Sequence, residues 1–180
     1  IEGMQDSAVT VLATTQKLST DLGEASYHSV EFKGLLPETL YAYRVGDGAN
    51  WSEWFQFRTA SRQRKSFSFI YFGDAQREVK SQWSRVIRQA YKHASDARFV
   101  IHAGDLIDRH NRDAQWGEWF NAGGWLNGML PSIPAVGNHE YGSDENGTSH
   151  LSTHWRPQFT LPMHGPKGLE ETAYYVDYQG

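Results

Sequence analysis

Phe67-Ser68-Phe69-Ile70-Tyr71-Phe72-Gly73-Asp74-Ala75-Gln76 is where the chain changes its hydrophobic period. The run up to Phe72 is a dense, β-prone strand that ends on Gly-Asp. Behind it, Val79, Trp83, Val86, Ile87, Ala90 and Tyr91 recur at helical spacing and predict an amphipathic helix over roughly 78–93. Phe99-Val100-Ile101-His102-Ala103 is the next strand and runs into Gly104-Asp105-Leu106-Ile107-Asp108. Residues 113–129 predict a helix with Trp116, Trp119, Phe120 and Leu126 on one side, weakened by Gly123-Gly124. Ser132-Ile133-Pro134-Ala135-Val136 is a third short strand and ends at Gly137-Asn138-His139-Glu140. Strands alternating with helices mean a parallel sheet covered by helices. Ligands on such sheets gather beyond the carboxyl ends of the strands, where all three phrases lie.

Asp74 to Asp105 is 31 residues and Asp105 to Asn138 is 33, about one strand–helix–strand unit each. Each strand end therefore carries a hard oxygen donor, as a site for two metal ions requires. Two cations about 3.5–4 Å apart need an anion between them. Asp105, on the middle strand, suits that bridge. Asp74 suits the first metal, and Asn138 offers a neutral amide oxygen to the second. His139 is placed to meet a phosphoryl group and to protonate a leaving alcohol. The reaction this predicts is hydrolysis of a phosphate ester by an activated water, without a covalent enzyme intermediate. His102 reads as a core or supporting histidine. His110, His150, His154 and His164 read as surface residues, and Trp116 and Trp119 as helix core.

Residues 1–60 have a different character. Ala8–Thr14, Tyr27–Phe32, Leu36–Val45 and Trp51–Phe57 read as strands separated by turns. Leu36-Pro37-Glu38-Thr39-Leu40-Tyr41 suits a corner between strands. The polar, basic stretch Ser61–Ser66 reads as a solvated linker over 61–66, and 67–180 as a second domain. Residues 141–170 predict a long loop, and Thr172–Tyr178 a further strand. Asn50-Trp51-Ser52 and Asn146-Gly147-Thr148 match the glycosylation acceptor pattern, which matters only in a secreting eukaryote.

The 180 residues carry a formal net charge of −4, which argues against nucleic-acid or anionic-membrane partners. No cysteine is present, so thiolate metal sites, disulfides and a catalytic thiol are excluded. No apolar run approaches the roughly 20 residues of a membrane span. The expected partner is a small phosphorylated molecule.

The three phrases, with Gly73-Asp74, Gly104-Asp105-Leu106 and Gly137-Asn138-His139-Glu140 in order, resemble the calcineurin-like metallophosphoesterases. The first segment, with its Tyr41 corner and Tyr41-Ala42-Tyr43-Arg44-Val45-Gly46-Asp47-Gly48, resembles the N-terminal module of the purple acid phosphatase branch. The resemblance implies a partial, all-β fibronectin type III-like sandwich followed by a partial α/β catalytic domain of αββα layout. It also implies phosphomonoester hydrolysis in an extracellular or periplasmic location, with a pair of Fe, Mn, Zn or Mg ions as cofactors. Residue by residue, it implies Asp74 on one metal, Asp105 bridging, Asn138 on the other, and His139 near the phosphate. Purple acid phosphatases have a tyrosine three residues after the bridging aspartate, where this chain has Asp108. The wider superfamily has a histidine two residues after the first aspartate, where this chain has Gln76. Asp108 and Gln76 are thus candidate replacement ligands, and an oxygen-rich set suits Mn²⁺, Mg²⁺ or Fe²⁺. The later histidine motifs of the family have no match after Glu140, so the chain reads as a fragment that is inactive alone. A phosphodiesterase or nucleotidase of the same superfamily, and a non-catalytic binding protein on a degenerate phosphatase fold, are the alternatives.

Overall fold

Two antiparallel strand pairs precede the parallel sheet. The structure, a computed structural model, describes residues 8–179. β1 (Thr14–Thr20) and β2 (Gly23–Ser29) form a hairpin, and β3 (Leu40–Tyr43) pairs with β4 (Phe55–Arg58). Leu36 N–H donates to the Tyr41 hydroxyl at 2.8 Å, so the corner expected before β3 is present. Phe32, Tyr43 and Phe57 pack around it, with ring centroids 5.9–6.4 Å apart.

These strands are displaced from the sequence pattern. Residues 8–13 are not a strand, and part of the segment 1–60, residues 1–7, lies outside the described residues. β2 begins at Gly23 and stops at Ser29, short of Phe32. Trp51 makes a single bridge to Gly46, and the ladder resumes only at Phe55. The reason is Arg44, whose guanidinium lies over both Trp51 and Trp54, at 4.4 and 4.9 Å from the ring centroids. Trp51 and Trp54 are placed by this stacking rather than by a ladder.

β5 (Ile70–Phe72), β6 (Val100–His102) and β7 (Ser132–Pro134) are parallel and lie in that order. Ile70 stands opposite Val100, which stands opposite Ser132. A single π-helical turn, Val79–Trp83, opens α1 (Ser84–His93), so the crossover occupies nearly the predicted span. The second crossover is two helices, α2 (Asp113–Gly123) and α3 (Trp125–Met129), instead of one. Gly124 breaks it at φ 54° and ψ −133°, a conformation glycine tolerates best. Arg88 Nη1 takes the Ala122 carbonyl at 2.7 Å, which relieves the interrupted ladder.

Val79, Trp83, Ile87, Leu106, Ile107, Trp116, Trp119 and Trp155 are buried in one core between the sheet and its helices. The tryptophan pair of α2 is therefore core, as its spacing predicts. The stretch 141–170 is not wholly loop. It contains the hairpin β8 (Tyr141–Ser143) with β9 (Ser149–Leu151) and a short helix α4 (Trp155–Gln158). Thr172–Tyr178 forms no strand. Tyr178 makes ring contacts instead, against Phe67 and Phe99 at 4.7 and 5.1 Å, while Tyr175 is exposed. Several contacts cross from the first segment to the second. Tyr43 Oη donates to Gly128 O at 2.7 Å, Ser29 and Thr160 hydroxyls share a bond of 2.9 Å, and Phe55 lies against Gly128.

Candidate active site

β5 and β6 both end in a left-handed residue, Asp74 at φ 55° and Asp105 at φ 52°. That conformation is uncommon for any residue but glycine, although aspartate tolerates it better than most, and it clusters at functional sites. The two turns are joined by Asp74 N–H, which donates to Gly104 O at 3.3 Å. Gly104 itself has φ 89°, and a Cβ there would lie 2.6 Å from Gly137 N. The turns after β6 and β7 thus touch backbone to backbone, which requires glycine on both sides.

A buried carboxylate fastens this contact. Glu140 is 0% exposed. Its Oε2 accepts from Asp105 N at 2.8 Å and Gly137 N at 2.7 Å, and its Oε1 from Leu106 N at 2.8 Å. Burial pushes the Glu140 carboxyl above its usual range. The three amides oppose that rise and the neighbouring Asp105 carboxylate adds to it. Sequence reasoning gave Glu140 no role. Its signal was an acid three residues after a helix-start position, the pattern of a capping acid.

Asp105 Oδ1 accepts from His139 N at 2.9 Å, so the proposed bridging residue and the proposed phosphate-facing residue are in contact. His139 Nδ1 bonds the Asp108 carbonyl at 2.7 Å. A carbonyl only accepts, so Nδ1 carries the proton and Nε2 is left open. The Asp108 carboxylate lies 3.6 Å from Arg77 Nε and 3.9 Å from Arg109 Nε. The same carboxylate lies 3.7 Å from His139 Nδ1, so it sits among three nitrogen-bearing side chains. Gln76 Oε1 is buried and has no hydrogen-bond partner, which suits an oxygen donor awaiting a cation. Asp74 and Asn138 are exposed at the strand ends. A cleft of about 400 Å³ opens beside Asn138, lined by Asp108, Arg109, His110, Arg112, Asn138 and His139. A larger one of about 470 Å³ lies between β2 and α4 and contains none of the motif residues.

Among the described residues, no three His, Asp or Glu side chains converge closely enough to hold a metal. The donors present are the oxygens of Asp74, Asp105, Asn138 and Gln76, an open and incomplete set that fits hard cations. His102 is buried among Phe72, Trp83 and Trp119 with neither ring nitrogen bonded, and desolvation pulls its pKa down to about 4. It is a core residue, as expected. His154 is not a surface residue. It is 1% exposed, with Nε2 3.2 Å from Asp113 Oδ1. Its burial comes from α4 folding back on α2, which local sequence does not report. His150 pairs with Asp144 at 3.0 Å on the surface.

Residues 67–179 match the family Calcineurin-like phosphoesterase, more than half of the chain. The chain belongs to the calcineurin-like phosphoesterases. In front of that phosphoesterase domain, residues 2–59 match Purple acid Phosphatase, N-terminal domain. Among curated relatives of this phosphoesterase, acid phosphatase type 7 of Danio rerio is 29% identical over 139 residues, covering 75% of this chain. Among solved structures, a purple acid phosphatase from yellow lupin (Lupinus luteus) seeds superposes with a TM-score of 0.70 at 19% identity over 92% of this chain. That likeness establishes a shared fold. The chain spans 29% of the length of the Danio rerio relative and 35% of the lupin chain.

Proposed function

We propose that the protein hydrolyses phosphate monoesters with two metal ions, held by Asp74, Asp105 as the bridge, and Asn138, with Gln76 as the additional oxygen donor to the first. The observation that carries this reading is the Glu140 clamp. It binds the turn bearing Asp105 to the turn bearing Asn138 and His139, and leaves their donors at one sheet edge. Bound metal ions would supply positive charge to the phosphoryl oxygens and lower the pKa of a water. The rest falls to the chain. Asp105 keeps His139 beside it through the amide bond. The Asp108 carbonyl holds Nδ1–H whether the ring is neutral or charged, so Nε2 can bind a phosphoryl oxygen or pass a proton to the leaving alcohol. The cleft beside His139 admits the alcohol portion of the ester. Asp108 is the weaker candidate ligand, because its carboxylate faces Arg77 and Arg109. An extracellular or periplasmic location follows by analogy with purple acid phosphatases.

The test is hydrolysis of p-nitrophenyl phosphate, and of its diester analogue, by the whole protein loaded in turn with Mn²⁺, Mg²⁺, Zn²⁺ and iron. Turnover of the monoester that collapses in Asn138→Ala and His139→Ala is expected. Monoester turnover that survives both substitutions would remove the site from the reaction. The binding-protein reading is favoured by the lack of a closed three-ligand group among the described residues. It takes the lead if no metal gives turnover.

A further inference from the structure

We infer that Asp21, at the tip of the N-terminal hairpin, is a positioning residue for the cleft. It fixes the end of the 108–112 loop and, through the Asp108 carbonyl, the orientation of His139. The inference rests on the phosphoesterase reading of that site.

Arg112, at the N-cap of α2, makes no side-chain capping bond, so the first turn of the helix has orphan donors. The cap comes instead from a residue 92 positions earlier. Asp21 Oδ1 accepts from Asp113 N at 2.9 Å, and Asp21 Oδ2 lies 3.1 Å from Arg112 Nη1. The turn that presents Asp21 is itself held, because Thr20 Oγ1 accepts from Leu22 N at 3.1 Å and donates to Gly23 O at 2.8 Å. At its other end, the 108–112 loop is rooted in the core by Leu106 and Ile107, which are 1% and 0% exposed. Between root and cap stands Asp108, whose carbonyl takes His139 Nδ1. Gln115 and Trp116 of α2 also hold the loop, at Arg109 N and His110 O, so release of the Asp21 cap acts by loosening the start of α2 that carries them, and the Asp108 carbonyl and the imidazole shift with it. Small displacements of a reacting group cost large factors in rate.

The experiment compares Asp21→Ala and Asp21→Asn in the whole protein, each also in the His139→Ala background. It reads p-nitrophenyl phosphate kinetics and amide hydrogen exchange over residues 109–113. For Asp21→Ala, kcat falls about tenfold with KM within about twofold, and the 109–113 amides exchange faster. Asp21→Asn keeps the accepting oxygen on Asp113 N and restores kcat to within about threefold of wild type. In the His139→Ala background the Asp21→Ala effect shrinks below about twofold, because its route is gone. An undiminished loss in that background, or an unchanged kcat despite faster exchange, overturns the inference. If the wild-type protein hydrolyses nothing, the phosphoesterase reading fails. Exchange then decides whether Asp21 holds the loop, and unchanged protection overturns that.

Discussion

Replacing Glu140 by alanine removes the acceptor of three backbone donors at once, those of Asp105, Leu106 and Gly137. Each donor left without a partner costs about 1–2 kcal/mol, a gross loss of about 3–6 kcal/mol. Relief of the buried charge offsets part of this, since burial already holds the Glu140 carboxyl above its ordinary range. The balance is a destabilisation of about 2–3 kcal/mol, which for a domain of this size lowers Tm by about 5–10 °C. Thermal unfolding followed by circular dichroism measures it. Glu140→Gln separates the terms. Its one oxygen can satisfy at most the Asp105 and Gly137 donors that share Oε2, and its amide nitrogen then opposes Leu106 N. It should fall between wild type and alanine. Activity should drop more steeply than stability, by more than tenfold at a temperature where the variant is fully folded, because the clamp sets Asp105 against His139. A Tm within about 1 °C of wild type for Glu140→Ala, with normal turnover, would refute the clamp.

Gly137→Ala places a methyl group against Asp105 Oδ1 and 2.6 Å from Asp105 N, so it should abolish turnover; an alanine variant with wild-type kcat would contradict that geometry. His102 is depressed to about 4 in the folded state, so the folded protein resists taking a proton that the unfolded chain accepts below about 6.5. The stability this represents is complete above about 6.5 and is lost as pH falls towards about 4, to a total of about 3 kcal/mol. His102→Phe should flatten that part of the acid-unfolding curve, and an equally steep curve would argue against it. Iron-loaded protein should lack a visible tyrosinate charge-transfer band, because residue 108 is aspartate, and a purple sample would identify another tyrosine ligand. Tyr43→Phe removes the bond to Gly128 O between the two segments and should cost about 1 kcal/mol in urea unfolding.

The local signals were legible where side-chain period and burial coincide. Ile70–Phe72, Val100–His102 and Ser132–Pro134 each end on their motif because an apolar run must stop where the chain turns out of the sheet. Val79, Trp83 and Ile87 named the inner face of the first crossover for the same reason. Alternation misled at Trp51–Trp54 and Thr172–Tyr178, where aromatic rings make ring and cation contacts in place of a ladder. His154 read as surface because its burial depends on α4 meeting α2, a contact between residues 41 positions apart.

The sequence by itself determined the parallel strand–helix alternation, the order of Asp74, Asp105, Asn138 and His139 at the strand ends, and the family they resemble. These are properties of residue type and spacing along one chain. Tertiary structure alone decided that Glu140 clamps two turns, that the Asp108 carbonyl takes the hydrogen bond of His139 Nδ1, and that Asp21 caps a helix in the following domain. Each depends on a backbone group left unpaired at one point of the fold and a side chain brought to it from another. No local pattern encodes that meeting.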